Sequence, residues 1–195
     1  MDSILLELQL RKAYLKGEPV DTIYFGGGTP SLVPAEFLEK ILDQISALFP
    51  GSKQEVTLEA NPDDLNPQAL AAWKSLGIDR LSLGIQSFQD QILKAYNRAH
   101  NSEEATQAIQ LARASGFEKF SIDLIYGYPH SDHRLWQLDL EEALRLDPGH
   151  LSAYSLTIEP KTTFGNWTKK GKFSPAEDEF VAQQFEYLQE QCDKA

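Results

Sequence analysis

Polar residues and glycines that follow apolar segments are the residues of this chain that could do chemistry. Residues 24–30 (YFGGGTP) close one apolar segment with three consecutive glycines. Glycine has no Cβ, so the backbone can turn sharply there and its amides can approach a ligand closely. In α/β proteins the carboxyl end of a buried strand is a common place for a small-molecule site. A turn that uses glycine for steric reasons only is the alternative.

Further polar residues lie at or after other apolar segments: Glu59, Gln86, Arg98 and Asp123. If these segments are parallel strands, their ends meet at one mouth, and we expect the side chains to converge there. Such a set could pair a carboxylate with an ammonium, an arginine with a carboxylate, and an amide or acid with ribose hydroxyls. Helix capping or a solvated charge is the alternative for Glu59. Asp123 lies within the apolar run 120–126, where an unpaired charge is costly.

Histidine and cysteine offer little further chemistry. His130 and His133 are three residues apart, a spacing that could serve a metal site, but we do not favour that interpretation because we identify no acidic or cysteine partner nearby. Cys192 is the only cysteine, so the chain forms no internal disulfide and no four-cysteine metal site. This usage is typical of a protein in the reducing cytoplasm.

Composition bounds the class of protein. The chain has 195 residues, of which 42% are hydrophobic and 24% charged, as in a globular domain with its own core. The formal net charge of −11 argues against a nucleic-acid-binding surface, which requires a basic face. No apolar run approaches the ~20 residues of a membrane span, and the start has no signal-peptide pattern. We therefore predict a cytoplasmic protein.

Short apolar segments rich in Ile, Leu, Tyr and Phe alternate with longer segments of helical periodicity. Strands are predicted over 22–25, 55–59, 80–85, 119–125 and 151–156. Helices are predicted over 2–16, 34–49, 67–76, 102–115, 131–146 and 175–191. This alternation predicts a parallel sheet with right-handed crossovers. The expected fold is α/β, a partial TIM-like (β/α) barrel of about five strands with outer helices, in one domain over 1–195.

Five sequence strings, together spanning most of the chain, resemble the radical S-adenosylmethionine (SAM) superfamily. They are YFGGGTP at 24–30, EANP at 59–62, RLSLGIQSF at 80–88, NRAH at 97–100 and SIDLIYGYP at 121–129. The branch that they resemble is that of oxygen-independent coproporphyrinogen III oxidase. Within it, NRAH and SAYSLTIE at 152–159 are more similar to the HemW heme-chaperone family than to the oxidase.

The resemblance implies roles for individual residues in binding SAM. Gly27, Gly28 and Thr29 would hold its methionine end. Glu59 would pair with the ammonium and Arg98 with the carboxylate of that end. The remaining implied contacts are to the nucleoside, with Gln86 and Asp123 on the ribose hydroxyls and Ile125 lining the adenosyl pocket.

The chain departs from the superfamily pattern at the iron–sulfur cluster. Members bind a [4Fe–4S] cluster through three cysteines in a loop that should precede residues 2–16, and Cys192 is not in that position. The resemblance therefore implies an internal fragment without the cluster loop and without the family's C-terminal domain. Such a fragment should bind SAM weakly and should not perform radical chemistry by itself.

Four functional readings remain open at this point. The parent protein is a heme chaperone that binds SAM, a cluster and heme and passes heme to acceptor proteins. Alternatively, it is an oxidase that decarboxylates a porphyrinogen in heme biosynthesis. A βα-barrel enzyme with a phosphate at the glycine turn is a third reading, and a barrel fragment that binds no ligand is the fourth.

Overall fold

The structure is a computed structural model that describes residues 2–49, 51 and 53–195. In this part of the chain the strands are β1 (Thr22–Phe25), β2 (Glu55–Ala60), β3 (Arg80–Gln86), β4 (Lys119–Tyr126) and β5 (Gly149–Ser155). The helices are α1 (Asp2–Leu10), α2 (Ala35–Leu48), α3 (Pro67–Ser75), α4 (Asp90–Ala95), α5 (Ser102–Ala114), α6 (Arg134–Leu146), α7 (Thr163–Lys169) and α8 (Asp178–Cys192). Short 3-10 helices span Lys12–Leu15, Pro30–Leu32 and Pro62–Asp64.

The strands form one sheet in the order of the sequence, β1-β2-β3-β4-β5. The pairing of β1 with β2 is parallel, with Thr22 opposite Glu55 and Phe25 opposite Leu58. The pairing of β2 with β3 is also parallel, and it places Glu59 opposite Ser82. Each neighbouring strand is reached through a helical connection, as parallel pairing requires. The predicted α/β class, with five parallel strands and helices as in part of a barrel, is confirmed.

The chain divides into two compact units. Unit 1 comprises Met1–Gly84 and Thr106–Ser121, and unit 2 comprises Ile85–Ala105 and Ile122–Ala195. In unit 1 the central residues of β2 and β3 are buried almost without interruption, as expected where both faces of a parallel sheet are covered. Helix α2 buries one stripe at helical spacing: Leu38, Ile41, Leu42 and Ile45. This packing holds the carboxyl ends of β1 and β2, where the predicted site begins.

Unit 2 is organised around α6 and α8. Helix α6 buries Trp136, Asp139, Leu140, Ala143 and Leu146. The indole Nε1 of Trp136 donates to the carbonyl of Gln184 at 3.0 Å, and the amide of Gly127 donates to Oε1 of Gln184 at 2.7 Å. The buried side chain of Gln184 on α8 thus satisfies the backbone turn that follows β4.

The element boundaries differ from the predictions in a few places. The predicted helix over 2–16 ends at Leu10 and continues as the 3-10 turn Lys12–Leu15, which closes at Lys16 with a left-handed φ of 52°. The helix predicted from 131 begins at Arg134. The backbone amide of Arg134 donates a hydrogen bond to Oδ1 of Asp132 at 2.9 Å. Helix α7 was not predicted. Gly77 and Gly116 follow α3 and α5 with a left-handed φ near 80°, as is common for the glycine that ends a helix.

No helix in the described part of the chain has both the length and the apolar character that crossing a bilayer requires.

Candidate functional site

The glycine turn after β1 has left-handed backbone at two successive positions. Gly27 has φ +80° and Gly28 has φ +68°, and a Cβ added at either would meet no atom within 4 Å. Backbone conformation, and not crowding, therefore favours glycine at these two positions. The turn leaves both glycines exposed and Thr29 half-buried, and it ends where buried Pro30 begins a 3-10 helix.

Glu59, near the end of β2, lies against this turn within unit 1. Its Oε2 accepts a hydrogen bond from the amide of Gly27 at 2.9 Å, and its Oε1 accepts one from the hydroxyl of Tyr24 at 2.9 Å. An ionised carboxylate offers about four acceptor sites, so the half-buried group keeps capacity for a cationic ligand. The predicted proximity of Glu59 and the glycine turn is confirmed, and Tyr24 is a contributor that the sequence analysis missed.

A second contact joins the loops that follow β1 and β2. The hydroxyl of Ser31 donates to Oδ2 of Asp64 at 2.6 Å, and the amide of Asn61 lies 3.3 Å from the same oxygen. Asn61 and Asp64 form a capping box on the 3-10 helix Pro62–Asp64. The string Asn-Pro-Asp-Asp carries a signal for this cap, and the pairing with Ser31 requires the tertiary structure.

Gly26→Ala tests how closely the turn is packed against Glu59. A Cβ at Gly26 would lie 2.6 Å from Cε1 of Tyr24 and 2.9 Å from Oε1 of Glu59. The nearest atom belongs to the ring of Tyr24, a side chain that is 59% exposed and can shift, so we expect the free energy of unfolding to fall by about 1 kcal/mol. The Tyr24–Glu59 hydrogen bond should nevertheless be lost. Urea denaturation measures the first effect. For the second, the Tyr24 ring signals are assigned by their absence from the spectrum of Tyr24→Phe, and they should shift in the spectrum of Gly26→Ala; unchanged Tyr24 ring signals would contradict the geometry.

Gln86 ends β3 in unit 2 with an unusual backbone. Its φ is +70°, and the amide of Ser87 donates to the carbonyl of Ile85 at 2.9 Å. A hydrogen bond from residue i+2 to residue i across a residue of positive φ is a γ-turn of the rarer, strained kind. The side chain of Gln86 is half-buried.

The other predicted residues of unit 2 lie on two elements. Arg98 follows α4, its amide donates to the carbonyl of Leu93 at 2.9 Å, and its side chain is half-buried. Asp123 and Ile125 are half-buried and alternate along β4 with the fully buried Ile122 and Leu124. Because side chains alternate along a strand, Asp123 and Ile125 share one face of β4. Asp123 therefore does not lie in the apolar core.

Asp139 on α6 is a buried carboxylate that the sequence analysis missed. Its side chain is 1% exposed. It accepts hydrogen bonds from Oγ of Ser87 at 2.7 Å, from the amide of Phe88 at 2.7 Å and from Nε2 of Gln89 at 3.2 Å. Burial raises the pKa of this carboxyl to about 6, and the three hydrogen bonds partly oppose the rise. A signal was present, since Asp139 falls three residues after Trp136 and four before Ala143, on the apolar stripe of the helix.

The histidines make polar contacts with neighbouring side chains. His130 Nδ1 lies 3.3 Å from Oδ1 of Asp132, an acidic neighbour that the sequence analysis overlooked, and His133 Nε2 lies 3.0 Å from Oε1 of Gln183. The ring of His133 also stacks on Phe180 with centroids 4.2 Å apart. Within the described residues no group of three His, Cys, Asp or Glu side chains is arranged to hold a metal ion.

The eight predicted site residues divide equally between the two units. Gly27, Gly28, Thr29 and Glu59 belong to unit 1, and Gln86, Arg98, Asp123 and Ile125 belong to unit 2. Within unit 1 the structure joins Glu59 to the turn directly. Within unit 2 it places Gln86 at the end of β3, Arg98 after α4, and Asp123 and Ile125 on one face of β4. Convergence of all eight on one ligand stays a prediction.

Comparison with known proteins identifies relatives along most of the chain. The Radical SAM superfamily profile matches residues 4–140. The chain is 38% identical to the heme chaperone HemW of Synechocystis sp. over 178 residues, which cover 90% of this chain and 43% of that protein. It is 39% identical to HemW of Escherichia coli over 164 residues, covering 84% and 43% respectively. It is 38% identical to HemW of Bacillus subtilis over 175 residues, covering 88% and 46%.

Solved structures share the fold. Coproporphyrinogen III oxidase (HemN) from Escherichia coli, a radical SAM enzyme, superimposes with a TM-score of 0.79 at 23% identity, over 95% of this chain and 43% of that chain. Elp3 from Methanocaldococcus infernus also gives a TM-score of 0.79 at 23% identity. The chain spans less than half of the length of the curated relatives that it matches. Because the superfamily match covers more than half of the chain, this protein belongs to the radical SAM superfamily.

Proposed function

We propose that this chain is the SAM-binding core of a heme chaperone of the HemW type. The observation that carries the proposal is the carboxylate of Glu59, held by the amide of Gly27 and the hydroxyl of Tyr24 at the mouth of a glycine turn. A fixed carboxylate with unused acceptor capacity suits an ammonium group. The identity of 38–39% with HemW proteins supports the choice of family.

The proposed contacts follow the chemistry of SAM. The backbone of the turn and Thr29 hold the methionine end, Glu59 binds its ammonium, and Arg98 binds its carboxylate. Gln86 and Asp123 hydrogen-bond the ribose hydroxyls. Ile125, on the same face of β4 as Asp123, lines the adenosyl pocket, where its apolar side chain excludes water from the ligand.

The iron–sulfur cluster of the superfamily is treated separately. The cluster supplies the electron with which these proteins cleave SAM, and three cysteine thiolates hold it. The 195 residues contain one cysteine, Cys192, which is exposed at the end of α8. This donor set does not fit a cluster, so no step of the proposal passes through one. The chain's own residues bind and orient SAM.

The proposal prefers the chaperone to the oxidase for one reason. The likeness to coproporphyrinogen III oxidase is at 23% identity, which establishes the fold and carries no activity with it. The HemW proteins match in sequence along 84–90% of this chain. Delivery of heme to acceptor proteins by the whole protein is part of the proposal.

Glu59→Gln is expected to weaken SAM binding by about tenfold to a hundredfold, since a hydrogen bond to a charged group is worth about 1.5–3 kcal/mol. Gln keeps the shape and one acceptor oxygen but removes the charge. Glu55→Gln is the matched control, because Glu55 lies on the same strand at the other end and pairs with Arg80 at 3.1 Å. Isothermal titration of SAM into the 195-residue chain measures both. Equal affinities for the Glu59 and Glu55 variants would contradict the assigned ammonium site.

Heme binding is tested by titrating hemin into the same chain and following the Soret absorbance. A saturable shift with one equivalent of hemin, and no shift with coproporphyrin at equal concentration, is the result expected for a heme chaperone. Saturable binding of coproporphyrin in preference to hemin would favour the oxidase. SAM binding without either tetrapyrrole would place the heme site outside these residues and leave only the SAM-binding half of the proposal.

A further inference from the structure

We propose that Asp139 is a positioning residue for the SAM site, which acts by holding the strained turn at Gln86. This inference rests on the proposed function, because Gln86 is the residue assigned there to the ribose. Asp139 itself does not touch the ligand. All of the contacts that carry the inference lie within unit 2.

The backbone at Gln86 needs an external restraint. A φ of +70° is unfavourable for any residue with a Cβ, and the γ-turn closed by Ser87 and Ile85 is of the strained kind. Such a conformation persists only where the surrounding structure holds it. A glycine at position 86 would adopt this φ without strain. We therefore infer that position 86 carries glutamine because its side chain is needed.

Asp139 supplies the restraint on the residues that follow Gln86. Its two oxygens accept hydrogen bonds from three successive residues, namely from the hydroxyl of Ser87, the amide of Phe88 and the side-chain amide of Gln89. A carboxylate is the side chain best suited to this, because it accepts at both oxygens and donates nothing. A carboxylate that is 1% exposed is also costly to keep, and these hydrogen bonds offset that cost.

A second contact restrains the residue that precedes Gln86. His100 Nε2 lies 3.0 Å from the carbonyl of Ile85, to which it donates. The carbonyl thus accepts from both His100 and the amide of Ser87. Gln86 is therefore bracketed, with His100 fixing the backbone on one side and Asp139 on the other.

The space beside Asp139 excludes a direct role in ligand binding. The cavity there, lined by Asp139, Trp136, Tyr126 and Gln184 among others, has a volume of about 10 Å³. That volume holds a single water molecule and no part of a nucleoside. Asp139 is therefore expected to affect a ligand of the Gln86 side chain through the turn and not by direct contact.

A double-mutant cycle on SAM affinity tests the inference. Gln86→Ala should weaken SAM binding by about threefold to tenfold, the range of one neutral hydrogen bond. Asp139→Ala should weaken it by a similar factor, whereas Glu141→Ala, an exposed acid on the same helix, should not change it. The Asp139→Ala, Gln86→Ala double variant should bind SAM as the Gln86→Ala variant does. Additive losses would show that Asp139 acts otherwise than through Gln86 and would overturn the inference.

Amide hydrogen exchange distinguishes a failure of this inference from a failure of the proposed function. If the Asp139→Ala variant does not fold, Ser87→Ala replaces it in this experiment. Ser87→Ala removes one donor to Asp139 and one acceptor for the amide of Gln89, at 3.0 Å. Either variant should speed exchange at Ser87, Phe88 and Gln89 at least tenfold more than at β4. If that occurs and the wild-type chain does not bind SAM, the restraint of the Gln86 turn by Asp139 is supported and the proposed function fails. If exchange at this turn is unchanged, the inference fails whatever the SAM affinity.

Discussion

Replacing Leu58 by alanine is expected to lower the free energy of unfolding by about 2–5 kcal/mol, the range for truncating a fully buried leucine. Leu58 is 0% exposed at the middle of β2, opposite Phe25 in the neighbouring strand. The cavity left behind cannot close easily, because the sheet is buried on both faces there. Equilibrium denaturation with urea, followed by circular dichroism, measures the loss.

Leu32→Ala is the matched control for this prediction. Leu32 lies in the 3-10 helix after the glycine turn and is 69% exposed, so its truncation should change the stability by no more than about 0.5 kcal/mol. Leu58 also precedes Glu59, and loss of its packing should therefore weaken SAM binding as well. A comparable loss of stability in both variants would mean that β2 is not packed as described.

Replacing Asp139 by asparagine is expected to stabilise the protein at neutral pH and to remove a pH dependence. The asparagine oxygen can still accept from the amide of Phe88, and its amide can donate to the hydroxyl of Ser87, which in the wild type accepts from the amide of Gln89 and donates to Asp139. The buried Ser87 proton then loses its acceptor, which offsets part of the gain. The variant avoids ionising a buried group whose pKa is raised to about 6 from 3.8. One pKa unit corresponds to about 1.4 kcal/mol, so the relief approaches about 3 kcal/mol before the weaker neutral hydrogen bonds are subtracted.

The sign of the pH dependence follows from proton binding. Between pH 4 and pH 6 the Asp139 carboxyl is ionised in the unfolded chain and still largely protonated in the folded one. The folded state then binds more protons, so the contribution of Asp139 to stability falls as the pH rises through this window and levels off about one pH unit above the folded pKa. From pH 5 to pH 7 the wild type should lose about 1 kcal/mol relative to Asp139→Asn.

The difference in the free energy of unfolding between the wild type and Asp139→Asn separates the titration of Asp139 from that of its neighbours. Tyr96 is the ionisable side chain coupled to Asp139, and burial raises the pKa of its phenol, so it stays neutral in this window. His130 and Asp132 line the same cavity and are identical in both proteins. Urea denaturation at pH 5, 6 and 7 gives the comparison. Parallel stability curves for the two proteins would contradict a raised pKa.

The order of strands and helices could be predicted from residue patterns, because hydrophobic periodicity is local. The spacing of Leu38, Ile41, Leu42 and Ile45 specifies α2 by itself, and β3 is marked by apolar residues at every second position, Leu81, Leu83 and Ile85. Boundaries were less predictable. Lys16 ends the first helical region through a left-handed backbone, and Asp132 accepts a hydrogen bond from the amide of Arg134, at which α6 begins.

Half of the local geometry of the site could also be anticipated. The glycine turn and Glu59 were predicted at neighbouring strand ends, and the structure joins them by a hydrogen bond of 2.9 Å. The burial of Asp139 had a signal in its helical spacing, but the hydrogen-bond partners of Tyr24 and Asp139 could not be predicted from their immediate neighbours. Tyr24 reaches Glu59 across 35 positions of sequence, and Asp139 reaches Ser87 across 52.

By itself the sequence determined the superfamily, the parallel α/β order and the types of the candidate ligands, because motifs and periodicity are properties of consecutive residues. Only the tertiary structure decided which neighbouring side chains hold those candidate binding residues in position. The strain at Gln86, its clamp by Asp139 and His100, and the fixing of Glu59 by Tyr24 all depend on distances between residues far apart in the chain. A hydrogen bond depends on separations of about 3 Å, and no local pattern encodes these.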